Sequence, residues 1–282
     1  MMAEIVKEWD QGYFESWDKT RLFYRFYPSP KARHTVLVVH GFGEHSGRYE
    51  KFPGRMSGLA VQWAVMDLRG MGASGGARGD VGSAEDYLKD MDAFIAHLQK
   101  KYAAPKKFIL FGHSLGGLAA VYWGMKRPEC IKTLVLSVPF FGFRGQPFLR
   151  AVNSLIRFFL PGFVYNNPVI PRALSHDAAE IALYRKDPLI IRKISTRLVG
   201  ELMRWMEDLR KLPAISFPFA VAVLAAGEER VVDARAARRF FDRLASSRKD
   251  FFCFDGFYHE IFNEVEQRKA FNVLKTIIED CV

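Results

Sequence analysis

The tightest constraint in this chain is six residues long: Gly112-His113-Ser114-Leu115-Gly116-Gly117. It closes an apolar, strand-like run at residues 107–112 and opens a helical pattern at 115–127. A serine at a sharp strand-to-helix junction has a strained backbone, and glycines two residues to either side remove the side chains that would collide there. Such a turn lifts the Ser114 hydroxyl above the strand end. It also leaves the Leu115 N–H, first in its helix, without an intrahelical acceptor.

The rest of the chain keeps the same strand-then-helix rhythm. Short apolar runs at 22–27, 35–40, 62–68, 107–112, 133–138, 218–226 and 249–254 alternate with helical patterns at 83–101, 115–127, 233–245 and 267–279. Ser83 and Asp86 stand at N-cap and capping-box spacing for the first helix. Fully apolar strands alternating with helices predict an α/β fold: a mostly parallel sheet with helices on both faces.

One stretch breaks the rhythm. Between Pro139 and Phe217 there is no strand pattern, and the gap is too long for an ordinary connection. Two amphipathic helices are predicted in it. The first puts Leu149, Val152, Leu155, Ile156 and Phe159 opposite Arg150, Asn153 and Arg157. The second puts Ile194, Leu198, Leu202, Trp205, Leu209 and Leu212 opposite Arg197, Glu201, Arg204 and Asp208. The expected organisation is therefore a core over residues 1–138, a helical cap inserted after the sixth core strand over 139–212, and the second part of the core over 213–282.

Composition narrows the class. Hydrophobic residues are 49% and charged residues 26% of 282, which excludes a disordered or low-complexity chain. Three widely spaced cysteines, Cys130, Cys253 and Cys281, support neither a disulfide framework nor a zinc site and suit a reducing compartment. The first ten residues carry charges and no apolar core of a signal peptide. The most apolar stretch, 212–227, is short and broken by Pro213 and Pro218. The expectation is a soluble, cytoplasmic protein, peripheral at membranes at most. The formal charge of +10 (41 Lys+Arg less 31 Asp+Glu) is spread in pairs such as Lys100-Lys101 and Arg238-Arg239, read as solvated faces with weak attraction to anionic lipid. No nucleic-acid motif frames them.

A serine hydroxyl is a poor nucleophile without a base. In folds built around such an elbow the order along the chain is serine, acid, histidine. His259, after the last strand-like run, fits the base. The acid falls in Gly227-Glu228-Glu229-Arg230-Val231-Val232-Asp233, where Glu229 is favoured, Asp233 competes but reads as a helix N-cap, and Glu228 reads as a solvated charge. A second oxyanion donor is expected from His40-Gly41-Phe42-Gly43, where the glycines let the Phe42 N–H turn toward Ser114. His40 and His45 lack a third ligand for a metal. Gly70-Met71-Gly72-Ala73-Ser74-Gly75 matches a dinucleotide fingerprint, but loop sequence follows where a helix must open, so it reads as a glycine-rich turn.

Taken together, residues 40–49 (HGFGEHSGRY), 67–75 (DLRGMGASG) with Arg78-Gly79, 112–117, Asp187-Pro188-Leu189 and His259-Glu260 resemble the monoacylglycerol lipase and lysophospholipase branch of the α/β-hydrolases. The resemblance implies Ser114 as nucleophile, His259 as base, the Phe42 and Leu115 amides as oxyanion hole, and no cofactor. Glu229 stands where the branch usually carries Asp, which keeps Asp233 in contention. The implied substrate is a single-chain lipid ester, with transient contact between the cap and a membrane or micelle surface. Of the cap phenylalanines (140, 141, 143, 148, 158, 159 and 163), most are expected to pack the insertion onto the core, the rest to line an acyl tunnel or meet lipid. Broader esterase, thioesterase, amidase or acyltransferase chemistry on the same residues is the alternative. A binding or interaction module on a retired fold is the non-enzymatic one.

Overall fold

The computed structural model describes residues 9–143, 146–160, 162–246 and 248–281. Eight strands form one sheet: β1 (Asp10–Glu15), β2 (Arg21–Tyr27), β3 (His34–Val39), β4 (Val61–Met66), β5 (Phe108–His113), β6 (Ile131–Ser137), and, after a long excursion, β9 (Ala220–Ala226) and β10 (Lys249–Phe254). Their spatial order is β1-β2-β4-β3-β5-β6-β9-β10. The pairs from β4 through β10 are parallel, and β1 and β2 add an antiparallel edge.

β3 lies between β4 and β5, so the chain leaves it toward one edge and later returns on its other side. Loops that depart in opposite directions open a crevice at the strands' carboxyl ends. The loop after β3 and the turn after β5 meet there. Helices α1 (Phe52–Arg55) and α8 (Arg268–Glu279) cover one face around Phe52, Trp63, Phe111 and Phe271. Helices α2 (Glu85–Tyr102), α3 (Leu115–Lys126) and α7 (Ala234–Asp242) cover the other around Phe94, Trp123 and Phe240. The N-cap of α2 is Ala84, one residue past the expected Ser83, but Ser83 and Asp86 still bond across its start: Glu85 N–H donates to Ser83 Oγ, and Ser83 N–H to Asp86 Oδ2.

The excursion between β6 and β9 holds α4 (Gln146–Phe159), a two-stranded ribbon of β7 (Val164–Asn166) and β8 (Lys193–Ser195), α5 (Ala178–Lys186) and α6 (Thr196–Lys211). The ribbon and α5 depart from the expectation of two helices and no strand. Three-residue strands are too short to show alternation, and α5 has only a narrow apolar face, with Ile181 and Tyr184 buried. β1 was likewise not foreseen, because an edge strand with Gly12 and alternating exposure shows little apolar content.

The predicted face of α4 turns out reversed, and that of α6 differs at two positions. On α4, Asn153 is buried, its Nδ2 donating to Thr196 O at 3.1 Å. Phe148, Phe158 and Phe159 are 73%, 79% and 70% exposed, with Val152 and Leu155 beside them, so they do not pack the insertion onto the core. Phe163 is exposed too, whereas Phe140, Phe141 and Phe143 pack against the core as expected. The side chain of Leu149 lies outside what is described. On α6, Leu198, Leu202, Trp205 and Leu209 are buried as predicted, but Leu212 is exposed. Glu201 is buried rather than solvated, accepting from Ala84 N–H at 3.2 Å and Arg204 at 2.8 Å. Burying this carboxylate costs little because a backbone donor and an arginine meet it.

The glycine-rich stretch at 70–75 is a turn that braces the crevice. Asp67 holds it, accepting from Ala73 N–H at 2.7 Å and from Ser46 N–H at 2.6 Å. Beside it, Arg69 grips fully buried Asp90 through Nε at 2.7 Å and Nη2 at 2.6 Å, and reaches Asp18 at 2.8 Å. Removing one partner of such a pair strands the other charge in the interior. Arg69→Met is expected to cost about 3–5 kcal/mol of stability, read as a fall in the urea unfolding midpoint.

Candidate active site

Ser114 follows β5, whose six residues are all buried, and it holds φ 50°, ψ −116°, a strained conformation for a side-chain-bearing residue. Its neighbours show why glycine is needed on both sides. A Cβ on Gly112 would lie 2.6 Å from Gly116 O, and one on Gly116 would run into the carbonyls of Val39 and His40. The first turn of α3 thus rides directly on the backbone leaving β3. The strained turn is held by its own hydrogen bonds: Ser114 N–H donates to Ser137 O at 3.0 Å, and Ser114 O accepts from Gly117, Leu118 and Phe140.

His259 Nε2 lies 3.0 Å from Ser114 Oγ, and His259 Nδ1 lies 2.9 Å from Glu229 Oε2. All three side chains are buried. Glu229 is an acceptor only, so Nδ1 carries the proton and donates to it, which leaves Nε2 to accept from the serine hydroxyl. The other Glu229 oxygen accepts the N–H groups of Val231 at 2.5 Å and Val232 at 3.0 Å. The longer side chain is thus taken up by its own loop, one oxygen fixing the bend and the other facing the imidazole. Burial pushes the Glu229 carboxyl up, but His259 and the two amides outweigh it and hold it below its ordinary range. Burial likewise pulls His259 down, and the Glu229 charge and hydrogen bond, helped by Glu260 and Glu44, leave it raised.

Asp233 is engaged elsewhere. It caps α7, accepting from Arg235 N–H at 3.1 Å, and pairs with Arg239 at 2.7 Å. Glu228 is an exposed loop charge facing Arg230.

Phe42 and Leu115 line the same pocket as Ser114. Among the described residues neither backbone N–H has an acceptor. The loop carrying Phe42 is pinned by fully buried His40, whose Nδ1–H donates to Gly41 O at 2.7 Å while Nε2 accepts from Leu68 N–H at 2.9 Å. His45 is also structural: its Nδ1 accepts from Gly47 N–H, and its Nε2 meets Asp187 at 2.7 Å. That pair ties the insertion to the core, as do Ile191 N–H to Gly43 O at 2.9 Å and Lys51 to Glu180 at 2.9 Å.

The pocket has a cavity volume of about 100 Å³ and opens to the surface. Phe42, Leu115 and Val231 line it from the core, and Phe140, Val169, Leu174, Tyr184, Ile194 and Leu202 from the insertion. Its polar lining beyond Ser114 and His259 is Asn167, Glu44 and Glu260. The two glutamates escaped the sequence reading, although each adjoins a motif that was read. A charge beside a glycine-rich loop looks solvated until the fold closes over it. Among the described residues, no His/Cys/Asp/Glu group has the arrangement to hold a metal, and the three cysteines are free thiols.

Residues 30–266 match the family model described as serine aminopeptidase, S33. The chain is 30% identical to an uncharacterized abhydrolase domain-containing protein of Dictyostelium discoideum, over 88% of this chain but only 26% of that protein's length. It is 26% identical to phospholipase YtpA of Bacillus subtilis, covering 88% of this chain and 95% of that one. Among solved structures, a monoacylglycerol lipase of Paleococcus ferrophilus superposes with a TM-score of 0.79 at 29% identity, over 98% of this chain and 100% of that one.

The carboxylate geometry makes a direct comparison available. Glu229→Gln should lower kcat by on the order of 10⁴-fold, as loss of the oriented tautomer does in serine–histidine–acid sites. Asp233→Asn should leave kcat within a few-fold and cost no more than about 1 kcal/mol of stability, since an asparagine oxygen still caps α7 and only the exposed Arg239 pair is lost. Steady-state turnover of a soluble ester, with thermal melts, tests both.

Proposed function

The chain belongs to the serine aminopeptidase, S33, family of α/β-hydrolases and is a hydrolase; from that premise we propose that it cleaves the carboxylic ester of a single-chain lipid through an acyl-enzyme on Ser114. The observation that carries the proposal is the line from Ser114 Oγ through His259 to Glu229 at the floor of an apolar pocket.

In this reading His259 Nε2 takes the hydroxyl proton as Ser114 Oγ attacks the ester carbonyl. The Phe42 and Leu115 amides receive the developing oxyanion, with the positive end of α3 behind them. Glu229 keeps the imidazole oriented and stabilises it once charged. His259 then protonates the leaving alcohol, activates a water, and the acyl-serine is hydrolysed. No step calls on a cofactor.

The pocket walls suit an acyl chain. For the headgroup, two carboxylates and an amide line the pocket, and among the described residues no lysine or arginine does. Carboxylates accept hydrogen bonds from hydroxyls and repel phosphate. Glycerol therefore fits better than a phosphodiester, and we take a monoacylglycerol as the preferred substrate over a lysophospholipid.

The insertion, residues 139–212, acts as a cap over this pocket, and its α4 face is the part that meets lipid. Phe148, Val152, Leu155 and Phe159 form an exposed apolar stripe along α4, with Phe158 against Phe159 at its end, a feature of surfaces that dock on membranes or micelles. No described helix is long and apolar enough to span a bilayer, so contact through this face would be peripheral.

Two measurements test the reading. Fatty-acid release from a monoacylglycerol should exceed release from a lysophosphatidylcholine of the same chain length, and Ser114→Ala should abolish both. Turnover retained in Ser114→Ala would sink the mechanism, and preference for the lysophospholipid would reverse the headgroup assignment. Separately, a Phe158→Glu, Phe159→Glu double variant should lose several-fold activity on vesicle-borne substrate and keep it on a dispersed short-chain ester. Equal losses on both would remove the lipid-contact role.

A further inference from the structure

Behind the Ser114–His259–Glu229 line lies a second set of ionisable groups. Glu44 Oε1 is 3.4 Å from His113 Nε2, and Glu44 Oε2 is 3.7 Å from Arg48 Nε. Arg48 makes a short ion pair with Glu260, whose Oε2 also accepts from Asn263 Nδ2 at 2.8 Å. Every one of these side chains is largely withdrawn from water, and Glu44 and Glu260 line both the substrate pocket and a small cavity behind it. They sit close to the reacting atoms. A Cβ on Gly41 would lie 2.5 Å from Glu44 Oε1, 3.1 Å from His113 Cδ2 and 3.3 Å from Ser114 Cβ, so those side chains converge on one point.

His113 is the link to His259, with ring centroids 5.1 Å apart. Its Nδ1 lies 3.1 Å from the Ser137 carbonyl and 3.2 Å from the Ser137 hydroxyl, and its Nε2 lies 3.4 Å from Glu44 Oε1. Burial holds this imidazole far below its ordinary range, at about 4, so it stays neutral at working pH. His113 therefore adds no charge beside His259.

The charges around His259 can then be counted. It is faced by Glu229 from the loop after β9, by its own neighbour Glu260, and by Glu44 from the segment after β3, the last two each paired with Arg48. The neutral His113 and Ser114 face it from the turn after β5. From α5 comes the Tyr184 phenol, whose ring lies 5.2 Å from the Arg48 guanidinium. Glu44 and Glu229 are held below their ordinary range, while burial pushes the Glu260 carboxyl up against the pull of Arg48 and Asn263; with all three ionised, three carboxylates share one guanidinium. Glu229 alone would neutralise a protonated His259; Arg48 can neutralise only one of the other two.

We propose that Glu44 and Glu260 are positioning residues for His259, supplying surplus buried negative charge that Arg48 leaves uncompensated and that favours the imidazolium formed as Ser114 attacks. The proposal rests on His259 being the base. Its electrostatics are long-ranged in a water-poor site, so they act without direct contact. Removing either charge should make His259 a weaker base, which is free to work at lower pH but is less stabilised when it takes the serine proton.

The test is the pH dependence of Ser114 labelling by a fluorophosphonate and of kcat/KM on a small acetate ester without a glycerol headgroup, so that lost headgroup contacts do not enter. The acidic limb in the unaltered chain reports His259. Glu44→Gln and Glu260→Gln, both near-isosteric, should each move that limb downward by about half to one pH unit. Glu44→Asp, which keeps the charge, should leave it in place. A limb that stays put in both glutamine variants, each shown to be folded by its thermal melt, overturns the proposal. So does a Glu44→Asp limb that moves as far as that of Glu44→Gln, since geometry and not charge would then be responsible. An unaltered chain that labels with no acidic limb would remove His259 as base, and this proposal with it; labelling lost only in Ser114→Ala keeps the parent reading intact whichever way the limbs move.

Discussion

The structure depends on one close approach of backbone to backbone. Gly116, in the first turn of α3, sits against the carbonyls that end β3, where any side chain would collide. Because those two chain segments touch, the turn carrying Ser114 and the loop carrying Phe42 become neighbours although roughly seventy positions separate them. The strained φ of Ser114 is the cost of that contact, about 1–3 kcal/mol for such a backbone. It is offset by the four hydrogen bonds that its own amide and carbonyl make. The crevice at the reversal of strand order is a general property of open parallel sheets; in this chain the missing side chains make it narrow enough for chemistry.

Around that contact the chain buries several charges and satisfies each locally. Asp67 bridges the two loops beside the site, Asp90 is gripped by Arg69, and Glu201 is met by α2's first turn and by Arg204. These carboxylates are answered by amides or arginines. The cluster of Glu44, Glu229 and Glu260 differs because one of its partners is an imidazole, a group whose charge can change near neutral pH. In the proposed mechanism a buried carboxylate beside it acts on a moving proton, where one beside an arginine only holds a fixed position.

Much of this could be read from the sequence, for identifiable reasons. Strands buried on both faces are apolar throughout, so β3, β5, β6 and β9 were visible, and the glycines around Ser114 betray their steric purpose by spacing alone. Glu229 and Asp233 could be ranked by reading Asp233 as a helix cap, but the bond from Glu229 to His259 needed the fold. The errors have a common origin. Periodicity gives the angular width of an apolar stripe and not the direction it faces. On α4 the stripe points outward and Asn153 points in, because Thr196 offers Asn153 a carbonyl while nothing in the described structure covers Phe158 and Phe159. The same limit hid Glu201, Glu44 and Glu260, whose charges read as solvated until a partner arrives from a distant part of the chain.

The inserted segment is attached unevenly. Its second half is stitched to the core through Leu174, Glu180, Asp187, Ile191 and Ser195, each bonded to a residue of the crevice or its bracing turns. The described polar contacts of α4 run instead to Thr196 and Glu201, within the insertion itself. Mechanically, then, α4 is a cantilever: a load on its aromatic face is borne by α6 before it reaches the loops that hold Ser114 and His259. If the proposed lipid contact holds, sequence drift on that outer face would retune which surfaces the protein adheres to while Ser114 and His259 keep their spacing.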